Sequence, residues 1–364
     1  MSGRIRVVGI AVGACVAVGV ILLAFLWPAV TSQAKDIPVV VAGQGAQQLA
    51  DELSHQTGAL LDLTTVADRD AAVRAVEHRD AYGAIVLGQQ PEVLIASAAS
   101  PVVAQQLAAM APMLQTQLQA QLQAQLQTAA AATGAKAAGG PAPQVTVKVT
   151  DVVPLASSDA RGAGLSTAGI PLIIGALLGG ILLALTARSL ARRIVGLVVY
   201  VVVGGVVVTA ILQSWLGILQ GSWWTNAAAM ALALAAVAAP IMGAVALLGT
   251  PGIPLGPVVF LLFATPIAGA TAPQQFLPGA WGSVGQWFPP GATATLMRLV
   301  SYFPGADSAF GWLVLAGWTV LGLAVLVGFG RREGAPRLAG QAEPSAMEPG
   351  AEPATEPTAE PTVA

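Results

Sequence analysis

Asp51, Ser54 and His55 are the residues of this chain whose types and spacing come nearest to chemistry. Positions i and i+4 of a helix share a face, so Asp51 and His55 supply two ligands of a metal site if Gln44–Gln56 is helical. No third ligand with suitable spacing follows, and the second histidine, His78, belongs to a different helical stretch. Ser54 beside His55 makes a poor nucleophile, because acyl transfer needs opposed side chains and an orienting acid. The expected role of this cluster is an exposed polar helix face.

Other constellations are absent as well. A nucleotide-binding P-loop needs Lys followed by Ser or Thr, whereas Lys35, Lys136 and Lys148 precede Asp36, Ala137 and Val149. Cys15 is the one cysteine, so neither an intrachain disulfide nor a thiolate zinc cluster can form. Its flank Val12-Gly13-Ala14-Cys15 faintly resembles a lipoprotein cleavage site, but few apolar residues precede it, and a small membrane-helix residue is the preferred reading. No basic aromatic patch suggests nucleic acid. Neither an enzyme nor a cofactor is expected.

The elements that would position any site are dominated by lipid-like composition. Hydrophobic residues make up 55% of the chain and charged residues 9%, against about a quarter charged in an average soluble domain. Between Arg193 and Arg298 there is no Asp, Glu, Lys, Arg or His. At roughly 20 apolar residues per crossing, the spacing predicts spans at Val7–Trp27, Ala168–Ala187, Ile194–Leu216, Asn226–Leu248, Ile253–Thr271 and Ala309–Gly330. Val7–Trp27 exceeds the apolar core of about 7–15 residues typical of a signal peptide. It reads as an uncleaved first span, with cleavage after Ser32-Gln33-Ala34 as the rival. The spans carry no carboxylate or histidine, which argues against proton coupling through a titratable group.

Charges return over Thr31–Gly164. Strands are expected at Pro38–Ala42, Leu60–Val66, Tyr82–Leu87, Glu92–Ala96 and Gln144–Val153, and helices at Gln44–Gln56, from Asp68 to about His78, and from Pro101 to about Ala132. The order β-α-β-α-β-β-α-β describes an α/β sandwich. In the last of those helices Leu114, Leu118, Leu122 and Leu126 recur every four residues, a stripe that drifts around the axis. A helix lying across the sheet or projecting from it is expected ahead of a self-associating stalk. The region after Arg331, rich in Glu-Pro dipeptides, is expected to be disordered.

The fold class is therefore a polytopic α-helical membrane protein, six transmembrane helices with an extracytoplasmic α/β domain between the first and second. The segments are 1–6, an N-terminal cytoplasmic stretch; 7–27, the first span; 31–164, the α/β domain; 168–330, five further helices with an aromatic loop at 272–308; and 331–364, an acidic cytoplasmic tail. Orientation follows from arginine. With six spans, Arg4 and Arg6, then Arg188, Arg192 and Arg193, then Arg331, Arg332 and Arg337 fall on one side, while Arg298 alone lies in the opposite short loops. Both termini are thus expected in the cytoplasm.

Two clusters become candidate functional residues. Trp281, Trp287 and Phe288, set among Pro273, Pro278, Pro289 and Pro290, precede Thr293–Phe303, whose helical face carries Leu296, Leu299, Val300 and Phe303. Aromatic rings and a snorkelling Arg298 suit the outer membrane interface, so Trp281, Trp287, Phe288 and Arg298 are the candidate outer gate, within an interfacial or partly re-entrant helix. Arg188, Arg192 and Arg193 are the candidate contact for a cytoplasmic partner. Gly175-Ala176-Leu177-Leu178-Gly179 offers a small-residue packing face.

This arrangement resembles the type-2, export-type permeases of ATP-binding-cassette transporters, in the actinobacterial branch close to the phage-infection-protein family. The local likeness lies in Ala81–Gly88, Val93–Leu107, Asp151–Gly162 and Leu277–Ala306, and it covers residues 1–330. It implies a homodimer or pseudo-dimer in the bacterial plasma membrane that moves a hydrophobic or amphipathic substrate outward with a separate ATPase subunit. The cytoplasmic connections around Arg188–Arg193 and Thr250–Gly256 are shorter than an ATPase grip ordinarily uses. Some members of the wider group are cell-envelope anchors or scaffolds, and that reading stays open.

Overall fold

The structure, a computed structural model, describes residues 2–133, 144–187, 189–270 and 272–330. The expected disordered tail at 331–364, with Arg331, Arg332 and Arg337, lies outside the described residues, as does Arg188.

Helix α1 (Ser2–Thr31) leads into an α/β unit of β1 (Ile37–Ala42), α2 (Ala46–Thr57), β2 (Leu61–Val66), α3 (Arg69–Glu77), β3 (Gly83–Val86), β4 (Glu92–Ile95), α4 (Pro101–Thr133) and β5 (Lys148–Asp151). The sheet order is β2-β1-β3-β4-β5. β1 lies parallel to β2 and β3, β4 is antiparallel to β3, and β5 is parallel to β4. The run Ile37-Pro38-Val39-Val40-Val41-Ala42 is nearly all buried, as a central strand covered on both faces requires. Asp68 caps α3 by accepting from the Ala71 amide at 2.8 Å. α4 does both things expected of it in turn: Val103, Leu107, Ala111 and Leu114 are buried on the sheet, while Leu126 and its neighbours project. Inside the unit Glu92 is buried and held by Arg69 at 2.7 Å and by Thr150 of β5.

The remaining long helices are α5 (Ala163–Thr186), α6 (Leu190–Thr209, continued by a π-helix Ala210–Trp215), α7 (Trp223–Leu248) and α10 (Ala309–Phe329). With α1 they give, among the described residues, five helices long and apolar enough to cross a membrane. α7 is central and packs against α5, α6 and α10. Close approach is built in by small residues: Gly180 lies on the Ala238 backbone, and Gly322 on Ala239 and Pro240. The Gly175–Gly179 face receives a ring instead of a helix, with the Tyr200 hydroxyl donating to the Gly175 carbonyl at 2.8 Å and its ring against Gly179.

The expected span Ile253–Thr271 departs from the sequence reading. Its helical part is the short segment Thr250–Ala264, a 3₁₀ turn followed by the π-helix Pro257–Ala264. Fifteen residues reach about 22 Å even at α-helical rise, short of a hydrocarbon core of about 30 Å. Pro254, Pro257 and Pro266 explain the break, since each lacks an amide donor and crowds the preceding turn. The polypeptide nevertheless returns from one end of the bundle to the other here. Gly252 packs on Ala244 near the C-terminus of α7, whereas Gln275 reaches the α/β unit, accepting from the Tyr82 hydroxyl at 3.1 Å.

Candidate functional site

Two short helices, α8 (Trp281–Gly285) and α9 (Pro289–Tyr302), occupy the aromatic segment. Neither is a surface flap. Pro289, Pro290, Ala292, Leu296 and Met297 are buried, and α9 packs against α5, α7 and α10. Its other end enters the α/β core: Phe303, 1% exposed, and Leu299 join Val39, Ile85, Leu94 and Leu107 in one cluster, together with Phe276. α9 is thus a rod with one end between the long helices and the other inside the sheet domain. The junction is tied by the Gln33 amide donating to the Phe276 carbonyl at 3.1 Å, by Ser158 Oγ donating to the Gly217 carbonyl at 2.8 Å, and by the Tyr302 hydroxyl donating to the Ile218 carbonyl.

Between α1, α5, α7, α9 and the non-helical residues 265–270 lies a cavity of about 290 Å³. Its walls are apolar: Phe25 and Pro28 from α1, Ile173 and Ala176 from α5, Met230, Ala233 and Val237 from α7, and Pro290 and Met297 from α9. Backbone that has left a helix carries unsatisfied polar groups, tolerable in an apolar setting only where protein or a cavity meets them. Buried Gln286 meets one, its Nε2 donating to the Ala268 carbonyl at 3.2 Å, and Thr295 Oγ1 donates to Gln286 Oε1 at 2.6 Å. Thr265 Oγ1 donates to the Phe260 carbonyl at 2.8 Å.

Among the described residues Arg298 is the one ionisable residue lining this cavity. It is half-buried and also lines a second, polar cavity of about 480 Å³ at the junction with the α/β unit, which His78, Arg79, Asp80, Tyr82 and Asp307 share. Among the described residues Arg298 forms no ion pair, and Asp307, which lines the same junction cavity, accepts from the Ala309 amide at 2.8 Å. α9 lies outside the five long apolar helices. Burial first, and Arg79 second, push the Arg298 guanidinium down to about 10, so it stays cationic at neutral pH. The side chain thus stands between the apolar cavity and the polar junction cavity, on a helix wedged between domain and bundle.

The aromatic candidates separate into two groups. Trp281 packs edge-on against Trp27 of α1 at 6.2 Å and against Phe263 at 6.1 Å, and Phe263 in turn meets Phe288 at 5.4 Å. Phe288 approaches Trp318 at 5.8 Å. Trp287, 63% exposed, stacks edge-on with Phe310 at 5.1 Å while its carbonyl accepts from Trp318 Nε1 at 2.8 Å. Trp287 and Arg298 share the junction cavity, whereas Trp281 and Phe288 belong to a belt joining α1, the π-helix and α10. At the opposite end Arg192 is exposed, but Arg193 is turned inward, its Nε and Nη2 donating to the Ala187 and Ala184 carbonyls at 3.0 and 3.2 Å. It satisfies the open C-terminus of α5.

Sequence reasoning missed the cavity walls and the buried amides. Asn226, fully buried, donates to Gln213 Oε1 at 2.9 Å and to the Gln220 carbonyl at 2.7 Å and accepts from Ser301 Oγ at 3.2 Å. Amides inside charge-free apolar runs were a usable signal, because such groups must find partners. Among the described residues no three His, Cys, Asp or Glu side chains gather to hold a metal. The fold defines a multi-span α-helical membrane protein with a mixed α/β domain after its first helix. Compared with protein-family models, curated proteins and solved structures, the chain matches none.

Proposed function

We propose that the chain is the permease-like membrane subunit of an exporter of the ATP-binding-cassette type, acting on an amphipathic substrate with a separate ATPase subunit. The observation that carries this reading is the apolar cavity walled by broken backbone and by α9, the rod that links it to the α/β core. Discontinuous helices beside a cavity are where transporters place their substrates. A body that must alternate between two arrangements also needs a rigid link between its parts, which α9 supplies. On this reading the short segment Thr250–Ala264 with residues 265–270 is a sixth, interrupted crossing, and the arginine distribution supports cytoplasmic termini with the α/β domain outside. Arg192 and Arg193 lie on the side where an ATPase would dock, with Arg192 the exposed contact. The apolar face of α6, with Val195, Val198, Val199 and Val202 exposed, meets lipid or a second copy.

The projecting half of α4 favours a second reading, an envelope anchor whose outer domain binds another protein. Its Leu118, Gln121 and Gln125 border a polar groove that also takes Gln44, Gln48 and Gln89, and Leu126 further along is exposed. Affinity purification of the full chain from its native membrane separates the two. Co-purification of an ATP-binding-cassette ATPase, with hydrolysis stimulated by this chain and no ATP hydrolysis by the chain alone, supports the permease. Recovery of an envelope protein through the α/β domain, with no ATPase at all, overturns it.

A further inference from the structure

Arg298 poses a question that packing does not answer. A guanidinium taken partly out of water is costly unless an acceptor meets it, and here no carboxylate is paired with it among the described residues. On its cavity side the surrounding chains are apolar and hydroxyl-bearing, with no second charge. The volume, about 290 Å³, sits at the small end of the roughly 300–1,000 Å³ of small-molecule sites. That suits a slender chain better than a bulky ring system.

The mouth of the cavity gives the direction of entry. Phe25 of α1 and Ile170 of α5 both line it and are 38% and 49% exposed. α1 meets the rest of the bundle mainly through the π-helix, leaving its side towards α5 loosely closed. Both flanking surfaces are hydrophobic along their length, so what lies outside this opening is lipid. A molecule entering there presents its chain to Ile173, Met230 and Val237 and its head to Arg298.

We propose that this cavity is a lateral binding site for an anionic lipid amphiphile, its hydrocarbon chain between α5 and α7 and its phosphate or carboxylate head on the Arg298 guanidinium. The inference rests on the permease reading and narrows its substrate class to anionic amphiphiles drawn from the bilayer. A charged, planar donor favours an oxyanion over a choline head. On the junction side Arg298 shares a polar cavity with Arg79 and His78 as well as Asp80 and Asp307, whereas the cavity side offers apolar walls for a chain beside the guanidinium for a head, which makes it the side an amphiphile fits.

The test uses the full chain in phosphatidylcholine nanodiscs, without ATP or any partner, so that its outcome is independent of whether an ATPase exists. Lysophosphatidylglycerol and lysophosphatidylcholine of equal chain length are compared by equilibrium binding, with glycerol phosphate as the chainless head. We expect lysophosphatidylglycerol to bind about tenfold more tightly than lysophosphatidylcholine and glycerol phosphate to bind far more weakly than either. Arg298→Gln should bring the two lipids together, and Arg298→Lys should restore most of the preference. Ile170→Trp, on an exposed position at the mouth, should weaken both lipids without lowering the melting temperature. It therefore decides the location even if Arg298→Gln does not fold. Equal binding of the two lipids, a preference that survives in folded Arg298→Gln, full affinity for glycerol phosphate, or no effect of Ile170→Trp would each overturn the proposal. The permease reading fails separately, by the absence of a partner ATPase.

Discussion

At the scale of residues, Phe303 shows how one side chain joins two parts of the molecule. It ends α9 and is buried among sheet residues that lie far away along the chain. Removing a buried phenyl ring leaves a cavity that neighbours only partly fill, a loss of about 3–5 kcal/mol. Phe303→Ala should lower the melting temperature of the full chain and open the junction, seen as faster proteolysis between the α/β domain and α9. A variant that melts like the wild type would show that the core does not depend on it. Glu92 gives a pH signature. Its hydrogen bond from Arg69, then that from Thr150, hold the carboxyl below its ordinary value of 4.5, against the opposing effect of burial. The stabilisation is complete above that ordinary value and is lost as pH falls through the lower, folded one. The melting temperature should fall more steeply below about pH 4.5 than above it. Glu92→Gln should lower it at pH 7 and flatten the acid limb, and an unchanged profile would remove the role assigned to this ion pair.

At the scale of elements, α8 owes its place to its glycines. A Cβ on Gly285 would stand 1.8 Å from the Ile267 carbonyl oxygen, and one on Gly282 would stand 2.0 Å from that of Gln274. The short helix therefore rests directly on the backbone that lines the cavity, which lets Gln286 reach the Ala268 carbonyl. Gly285→Ala forces backbone apart and should destabilise by about 1–3 kcal/mol, the usual range for overpacking. Gly175→Ala makes the contrast, because nothing stands within 4 Å of its added carbon and alanine is favoured over glycine within a helix by about 0.5–1 kcal/mol, so this variant should not destabilise. Thermal melts of the two variants, recorded side by side, check the pair. Equal melting temperatures would show that α8 does not bear on residues 265–270.

At the scale of the whole molecule, the two ends of the bundle differ. One end carries the α/β domain and the junction; the other gathers Thr250, Arg192 and the close pair Leu190 and Gly330. With Cys15 replaced by Ala, a single cysteine at exposed Gln89 should react with an impermeant thiol reagent in intact cells, while one at exposed Thr250 should react only after lysis. Labelling at Thr250 in intact cells, or failure at Gln89 when the unfolded protein labels, would invert the proposed orientation. Thr250 serves better than Gly252, whose added Cβ would stand 2.4 Å from the Ala244 carbonyl oxygen.

Much of the element order was legible because it is written in local periodicity. Runs of β-branched residues gave β1, β2, β3 and β4, Asp68 gave the start of α3, and unbroken apolar length gave α1, α5, α6, α7 and α10. These signals depend on neighbours a few residues apart, where backbone sterics and hydrogen-bond capping act. The segment 253–271 shows their limit: its apolar length announced a full helix, while its prolines and the π-helical turns ended it early. What only tertiary structure decided was which distant surfaces meet. Phe303 enters a core formed by strands, Arg193 turns inward to the end of α5, and Arg298 faces a cavity assembled from α1, α5, α7 and α9. Apolar burial is non-directional and sums over every element that can cover a surface. A sequence therefore declares that a face will be buried, and the packed chain alone settles what buries it.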